Sequence, residues 1–262
     1  MLFRSTEHPR YYAFYAWVFG QADRKQEPIK RRQYRLESAL LYAAIAAHGG
    51  EVGPQKAPMS GLVGIQNGSS RWRRDSTAEQ ALVPDSKEGR RRPSPFTPAY
   101  YSPSFGTLGV LRREGSQIQM MKAGRRLEEA FGTGLSSTSV GRRLRDGADR
   151  FSSSELAQLH DALCPCAVRD GHEEERKLLV DLMFARSKTG DRGRAEKRRQ
   201  TLALVLDLIL HSGGQPLAPG DRLGALTGLL YWHRYPSGDE YEPPPALRDV
   251  AHGWRIFVAR QY

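Results

Sequence analysis

The chain has 262 residues, of which 39% are hydrophobic, and its mean hydropathy is −0.59. This length is sufficient for a sizeable core in one domain or two. Its 40 Lys and Arg residues exceed its 29 Asp and Glu residues, so the formal net charge is +11, and only 8 of the 40 are lysine. Because arginine favours bidentate contacts with phosphate, this balance suits a polyanionic partner; an arginine-rich genome is the alternative explanation.

Cysteine content and hydropathy limit the cellular compartments in which the protein is expected. Two cysteines in the whole chain argue against a secreted domain built on disulfides. The first residues contain no apolar signal segment, and the longest apolar run, 202–210, is too short to span a membrane and is interrupted by Asp207. The composition therefore predicts a cytoplasmic protein without a membrane partner.

Two helices are predicted near the N-terminus, over residues 10–20 and 32–48. The first is almost entirely aromatic and apolar, and the second carries apolar residues at helical spacing until Gly49 and Gly50 end it. Residues 51–93 then show little periodicity, which predicts a long loop or a disordered insertion.

A basic and aromatic cluster lies within that loop. It consists of Arg71, Trp72, Arg73 and Arg74. Cations beside an aromatic ring suit phosphate contacts combined with base stacking, so these residues are candidate nucleic-acid contacts. The alternative is a solvated loop that carries one buried tryptophan.

Residues 108–131 predict a β-hairpin that leads into a helix. Val110 and Leu111 enter the first strand, residues 114–116 supply the turn, and Ile118 and Met120 alternate with glutamines at the period of a half-buried strand. Apolar residues then recur at helical spacing, and Gly132 is expected to end the helix. The segment resembles the wing and following helix of bacterial winged-helix domains.

The winged-helix resemblance implies a DNA-binding role. It makes Arg112 and Arg113 on the wing, and Arg125 and Arg126 on the next helix, candidate phosphate contacts. A recognition helix is expected just upstream of a wing, but Pro103 in that segment predicts at most about one helical turn.

The second half of the chain is predicted to be helical. Ser152 and Glu155 have the spacing of a capping box, and later helices are expected over 172–184 and 195–210, the last apolar on nearly all sides and therefore buried. Asp221 is expected to cap another helix, and three prolines precede the final one. The fold class is therefore mainly α with one small β-hairpin.

One cluster has metal-ligating residue types. His160, Cys164, Cys166 and His172 are close in sequence, and zinc is the cofactor that such residues suggest. A single residue separates the two cysteines, whereas zinc sites usually have two between them. A cysteine pair that packs as small hydrophobic residues at a helix end, with no cofactor, explains the pattern better. A cysteine nucleophile activated by His160 is a further reading, but no motif orients that histidine.

Residues 173–177 contain a Glu-x-Lys pattern found in Mg²⁺-dependent nucleases. That signature requires a strand, whereas this segment is predicted to be the first turn of a helix, where glutamates oppose the helix dipole. Helix capping explains the pattern better. The sequence contains no P-loop, dinucleotide-binding or nucleophile-elbow motif.

Three further segments, 10–17, 163–166 and 254–257, are similar to an uncharacterised group of bacterial proteins associated with restriction and phage-defence loci. This resemblance implies a DNA-related accessory role and supplies no catalytic residues. An apolar stripe at the C-terminus also has no predicted cap. We therefore expect the chain to be a fragment or a subunit of a larger assembly.

These observations predict helices over 1–50, a basic loop over 51–93, a winged-helix-like segment over 94–150 and a helical domain over 151–262. The expected function is that of a non-catalytic, DNA-binding accessory subunit of a multi-protein defence or DNA-handling complex. Its expected partners are duplex DNA and other proteins. A metal-dependent nuclease and a purely structural protein-interaction subunit are the alternatives.

Overall fold

The computed structural model describes residues 8–20, 27–48, 72, 79–83, 102–115, 117–169, 171–184, 192–211 and 240–259. Within these ranges the protein is mainly helical with a small antiparallel β-hairpin, as the periodicity predicts, and it has a second short antiparallel β-pairing. The chain forms two compact units, 1–183 and 184–262. The helix predicted after Asp221 lies outside the described residues.

Unit 1 begins with two long helices and a short strand and then alternates short helices with strands. Its elements are α1 (Arg10–Gly20), α2 (Ile29–Ala47), β1 (Glu79–Ala81), α3 (Ser102–Leu108), β2 (Leu111–Glu114), β3 (Gln117–Met120), α4 (Lys122–Ser136), α5 (Ser139–Arg145), β4 (Arg150–Ser152), α6 (Ser153–Gln158), α7 (His160–Leu163), a 3₁₀ turn (Pro165–Arg169) and α8 (Glu173–Met183). Unit 2 contains α9 (Arg192–His211), a 3₁₀ turn (Pro245–Leu247) and α10 (Arg248–Ala259).

Helix α1 is the central element of unit 1. Every residue from Arg10 to Val18 is buried, which agrees with a helix that is apolar on nearly all sides. Its aromatic rings pack along α4, where Phe14 and Trp17 lie with ring centroids 5.9 and 5.8 Å from that of Phe131. The aromatic residues of α1 are therefore covered by unit 1 itself.

A buried arginine joins α2 to the end of α5. Arg35 is 1% exposed; its Nε and Nη2 donate to the Glu27 carboxylate, and its Nη1 donates to the carbonyl oxygens of Leu144 and Ala148. Burial raises the pKa of Glu27, but the hydrogen bond and charge of Arg35 and the charges of neighbouring arginines outweigh it, so the pKa lies below its usual value. The interior of unit 1 thus holds a charge that is fully paired.

The predicted hairpin is present. Strands β2 and β3 pair antiparallel from Leu111 opposite Met120 to Glu114 opposite Gln117. The helix that follows does not end at Gly132, and that expectation is wrong: α4 continues to Ser136. Gly132 lies against Trp17, whose ring would be 3.2 Å from an added Cβ, so this glycine allows two helices to approach closely.

Two other local features refine the sequence-based expectations. Helix α3 is seven residues long, more than the single turn expected, because Pro103 lies in its first turn, where the missing N–H costs no hydrogen bond. The capping box is confirmed, since Glu155 N–H donates to Ser152 Oγ and Ser152 N–H donates to Glu155 Oε2. The pairing of β1 with β4 was not predicted.

In unit 2, α9 and α10 pack through a small apolar cluster that includes Leu204, Leu208 and Ala251. The expectation that the first of these helices is buried on all sides is wrong, because Leu206 and Leu210 are 55% and 76% exposed. Among the helices in the described ranges, none combines the length and the apolar character needed to cross a membrane.

Helix α4 packs closely against the backbone at Val110, which directly precedes the hairpin. A Cβ added to Gly124 would lie 2.2 Å from the carbonyl oxygen of Val110. We predict that Gly124→Ala destabilises the protein by about 1–3 kcal/mol, because the backbone has to shift. In α3, where the nearest atom to an added Cβ is 3.8 Å away, Gly106→Ala is the control and should be neutral or stabilising by up to about 1 kcal/mol. Urea unfolding followed by circular dichroism measures both, and equal stability of the two variants would contradict the packing.

Candidate metal centre

Four side chains of unit 1 converge on one point. They are His48, His160, Cys164 and Cys166, and their ligand atoms all lie within 4.8 Å of one another. His48 is the C-cap residue directly after α2, and α7 begins at His160. Cys164 is the C-cap residue directly after α7, and Cys166 lies in the 3₁₀ turn that follows. Packing of α2 against α6 and α7 brings the histidine to the other three.

The distances fit a tetrahedral ion. Cys164 Sγ and Cys166 Sγ lie 3.5 and 3.4 Å from His48 Nε2, and Cys166 Sγ lies 3.3 Å from His160 Nε2. Tetrahedral zinc, with bonds of about 2.3 Å to sulfur and about 2.0–2.1 Å to nitrogen, separates sulfur from nitrogen by about 3.6 Å and sulfur from sulfur by about 3.8 Å. The two sulfur atoms are 2.9 Å apart, so this pair has to separate by about 0.9 Å to hold the ion.

The histidine rings are oriented for this role. His160 Nδ1 lies 3.0 Å from the Asp161 carboxylate, while its Nε2 faces the sulfur atoms. A carboxylate on the far ring nitrogen is the usual support of a metal-binding histidine, because it fixes the tautomer and the ring orientation. The rings of His48 and His160 meet edge to face with centroids 5.1 Å apart, so neither blocks the other.

The electrostatics explain what an ion would change. Burial and, after it, the hydrogen bond with Cys166 raise the pKa of the Cys164 thiol to about 12. Burial, and then the nearby His160, lower the pKa of His48, so that its imidazole is neutral at pH 7, as a ligand has to be. A thiol whose pKa is raised is a poor nucleophile, which disfavours Cys164 in the role of a nucleophile. A bound cation would deprotonate it.

The structure brings three of the four predicted ligands together and adds a different fourth. His172, the histidine expected from sequence, donates from Nε2 to the Asp161 carbonyl oxygen at 2.7 Å, and its Nδ1 lies 3.9 Å from the Glu175 carboxylate. It adopts a left-handed conformation with φ 54°, which is uncommon for a residue other than glycine. His48 was missed because it lies 116 positions before Cys164.

The candidate nucleic-acid contacts are distributed over several elements. Trp72 is half-buried against Tyr42, with ring centroids 5.6 Å apart, and Arg71, Arg73 and Arg74 lie outside the described residues. Arg112 on β2 is exposed and lies 3.4 Å from the carboxylate of Glu114.

The remaining predicted contacts lie on the hairpin and on α4. Arg113 is on β2, opposite Ile118, and its side chain is outside the described residues. Arg125 and Arg126 are exposed on α4. Neither of these two has an ion-pair partner within the part of the chain that the structure describes.

The Glu-x-Lys segment is helical. Glu173, Glu174 and Glu175 form the first turn of α8, as the helix-capping explanation predicts. Glu175 is 1% exposed and pairs with Arg10, which occupies its carboxylate with a structural contact.

Comparison with protein-family models, with curated proteins and with solved structures finds no match to this chain. Function is therefore inferred from the four converging side chains and from the exposed arginines.

The four ligands make a direct prediction. The purified protein should bind about one zinc ion per chain, and His48→Ala or Cys166→Ser should abolish that stoichiometry, because three side chains hold the ion far more weakly than four. His172→Ala is the matched control and should keep one ion. Elemental analysis after dialysis measures all four proteins. Loss of zinc from the His172 variant with retention in the His48 variant would show that the ligand set is wrong.

Proposed function

We propose that His48, His160, Cys164 and Cys166 bind a structural zinc ion and that the protein acts by binding rather than by catalysis. The observation that carries this proposal is the convergence of two imidazoles and two thiols on one point. Four protein ligands fill a tetrahedral shell and leave no position for a substrate, which is the pattern of structural zinc sites. The ion would join the end of α2 to the segment that follows α6.

The donor set also favours zinc over other abundant divalent ions. Thiolates and imidazoles are poor ligands for magnesium and calcium, which prefer oxygen. Neither of the two cysteines forms a disulfide. Cysteines that bind zinc have to stay reduced, which a reducing compartment ensures, so the proposal assigns the protein to the cytoplasm.

We further propose that unit 1 binds duplex DNA as an accessory subunit of a multi-protein DNA-handling or defence system. The observation that favours this second role is the exposure of Arg112 on the hairpin and of Arg125 and Arg126 on the next helix, in a chain with a net charge of +11. Contacts of guanidinium groups with backbone phosphates position a protein on DNA and carry no sequence information, which suits a protein that positions DNA for other subunits.

The two competing roles are separable by experiment. A metal-dependent nuclease would cleave plasmid DNA when Mg²⁺ is added, whereas the proposed protein would retain DNA without cleaving it. A purely structural subunit would form an obligate protein complex and retain no DNA at low salt. The helical position of Glu173 to Glu175 supports the non-catalytic role.

DNA binding through phosphate contacts predicts a steep salt dependence. Affinity for duplex DNA should fall with salt, and replacing both Arg112 and Arg113 by Ala should make the log-log slope shallower by about two, since each lost phosphate contact changes it by about 0.9. Arg248→Ala is the control, because this exposed arginine belongs to unit 2 and not to the unit proposed to bind DNA. Fluorescence anisotropy over a salt series measures the slopes. An unchanged slope in the double variant would remove the hairpin from the interface.

A further inference from the structure

A buried arginine lies directly behind the candidate metal centre. Arg10 on α1 is 1% exposed, and its Nε and Nη2 donate to the two carboxylate oxygens of Glu175 at 3.0 and 3.1 Å. Its Nη1 donates to the carbonyl oxygens of Cys164 and Asp161 at 2.7 and 3.0 Å. One guanidinium therefore connects α8 to the backbone of the ligand segment.

Both carbonyls belong to residues that shape the metal centre. Cys164 is a ligand, and Asp161 supports the ring of His160 through its carboxylate. Fixing the backbone at both points fixes where Cys164 Sγ and the His160 ring lie. Metal affinity depends on such outer partners, because ligands that are already in place lose less freedom when the ion binds.

The carboxylate of Glu175 keeps the guanidinium in this position. A buried arginine without a counter-charge is strongly unfavourable, and a bidentate carboxylate fixes the plane of the guanidinium as well as its charge. With Nε and Nη2 committed to Glu175, Nη1 is left to point at the two carbonyls. The aromatic ring of Phe131 lies against the same group, 5.4 Å from its central carbon.

We infer that Arg10, held by Glu175, is a positioning residue that sets the Cys164 and His160 ligands in place before the metal binds. The inference rests on the proposed zinc site and deepens it by linking the site to the central helix α1. This role gives a reason for the buried charge of Arg10. Packing alone does not require a charge there, because an apolar residue would fill the same space without a desolvation penalty.

Unit 1 contains a matched control for this role. Arg35 is equally buried, pairs with the Glu27 carboxylate through Nε and Nη2, and donates from Nη1 to the carbonyl oxygens of Leu144 and Ala148. It lies on the same helix as His48 but 13 positions earlier, about 20 Å along the axis at 1.5 Å per residue. Arg35→Lys therefore removes the same kind of contact without touching the ligand segment.

The test is the zinc affinity of the parent, Arg10→Lys and Arg35→Lys, measured by competition with a chromophoric chelator. Lysine keeps the charge of Arg10 but is unable to hold a carboxylate and two carbonyls together. We expect Arg10→Lys to bind zinc about 10–100-fold more weakly than the parent, the usual cost of losing an outer-shell partner. Arg35→Lys should stay within about threefold of the parent.

Further measurements separate the possible failures. If the parent binds zinc and Arg10→Lys binds it equally well, or if the two lysine variants weaken binding equally, the positioning role is wrong while the zinc site stands. If the parent binds no zinc, both proposals are wrong. Should Arg10→Lys not fold, the same titration on Glu175→Gln, which keeps the side-chain volume but loses the charge, gives the answer. Unchanged affinity in that variant overturns the inference.

Discussion

The buried guanidinium of Arg10 constrains much of unit 1. Removing an arginine from water is unfavourable unless every donor is satisfied, so the burial of Arg10 within the aromatic helix α1 requires a carboxylate and further acceptors around it. Glu175 supplies the carboxylate, which places the start of α8 beside α1. The carbonyl oxygens of Asp161 and Cys164 supply the rest, which places the candidate ligand segment against the same helix. The aromatic core and the metal centre are thus parts of one arrangement.

Local periodicity and turn chemistry account for most of the predictable structure. Three features depend only on residues that are close in sequence, and each is found as predicted. They are the aromatic helix α1, the β2–β3 hairpin and the Ser152–Glu155 capping box. Three of the four converging ligands were predictable for the same reason, since they lie within seven positions of one another, 160–166. Their residue types and their closeness in sequence make them candidate ligands, although one residue between the two cysteines is an unusual spacing for zinc.

The features that were missed depend on tertiary packing. His48 reaches the site only because α2 packs on α6 and α7. In the sequence it is a single histidine before two glycines, and nothing in that pattern predicts the contact. The three-residue strands β1 and β4 are too short to show an alternating pattern, so their pairing has no periodic signature. The sequence predicts a helix end at Gly132, but this glycine instead allows close contact with Trp17. That contact involves another helix, so local sequence does not reveal it. Neither Arg10 nor Arg35 could be recognised as buried from sequence, because arginine is usually exposed.

The four-ligand metal site is the central proposal for unit 1, and the coordination shell of the bound ion tests it most directly. X-ray absorption at the zinc edge of the zinc-loaded protein should show two sulfur atoms at about 2.3 Å and two nitrogen atoms at about 2.0–2.1 Å. That result requires both cysteines and two histidines on one ion. A shell of nitrogen and oxygen atoms only, or one with a single sulfur, would contradict the assignment of Cys164 and Cys166 as ligands and with it the structural role proposed for the centre.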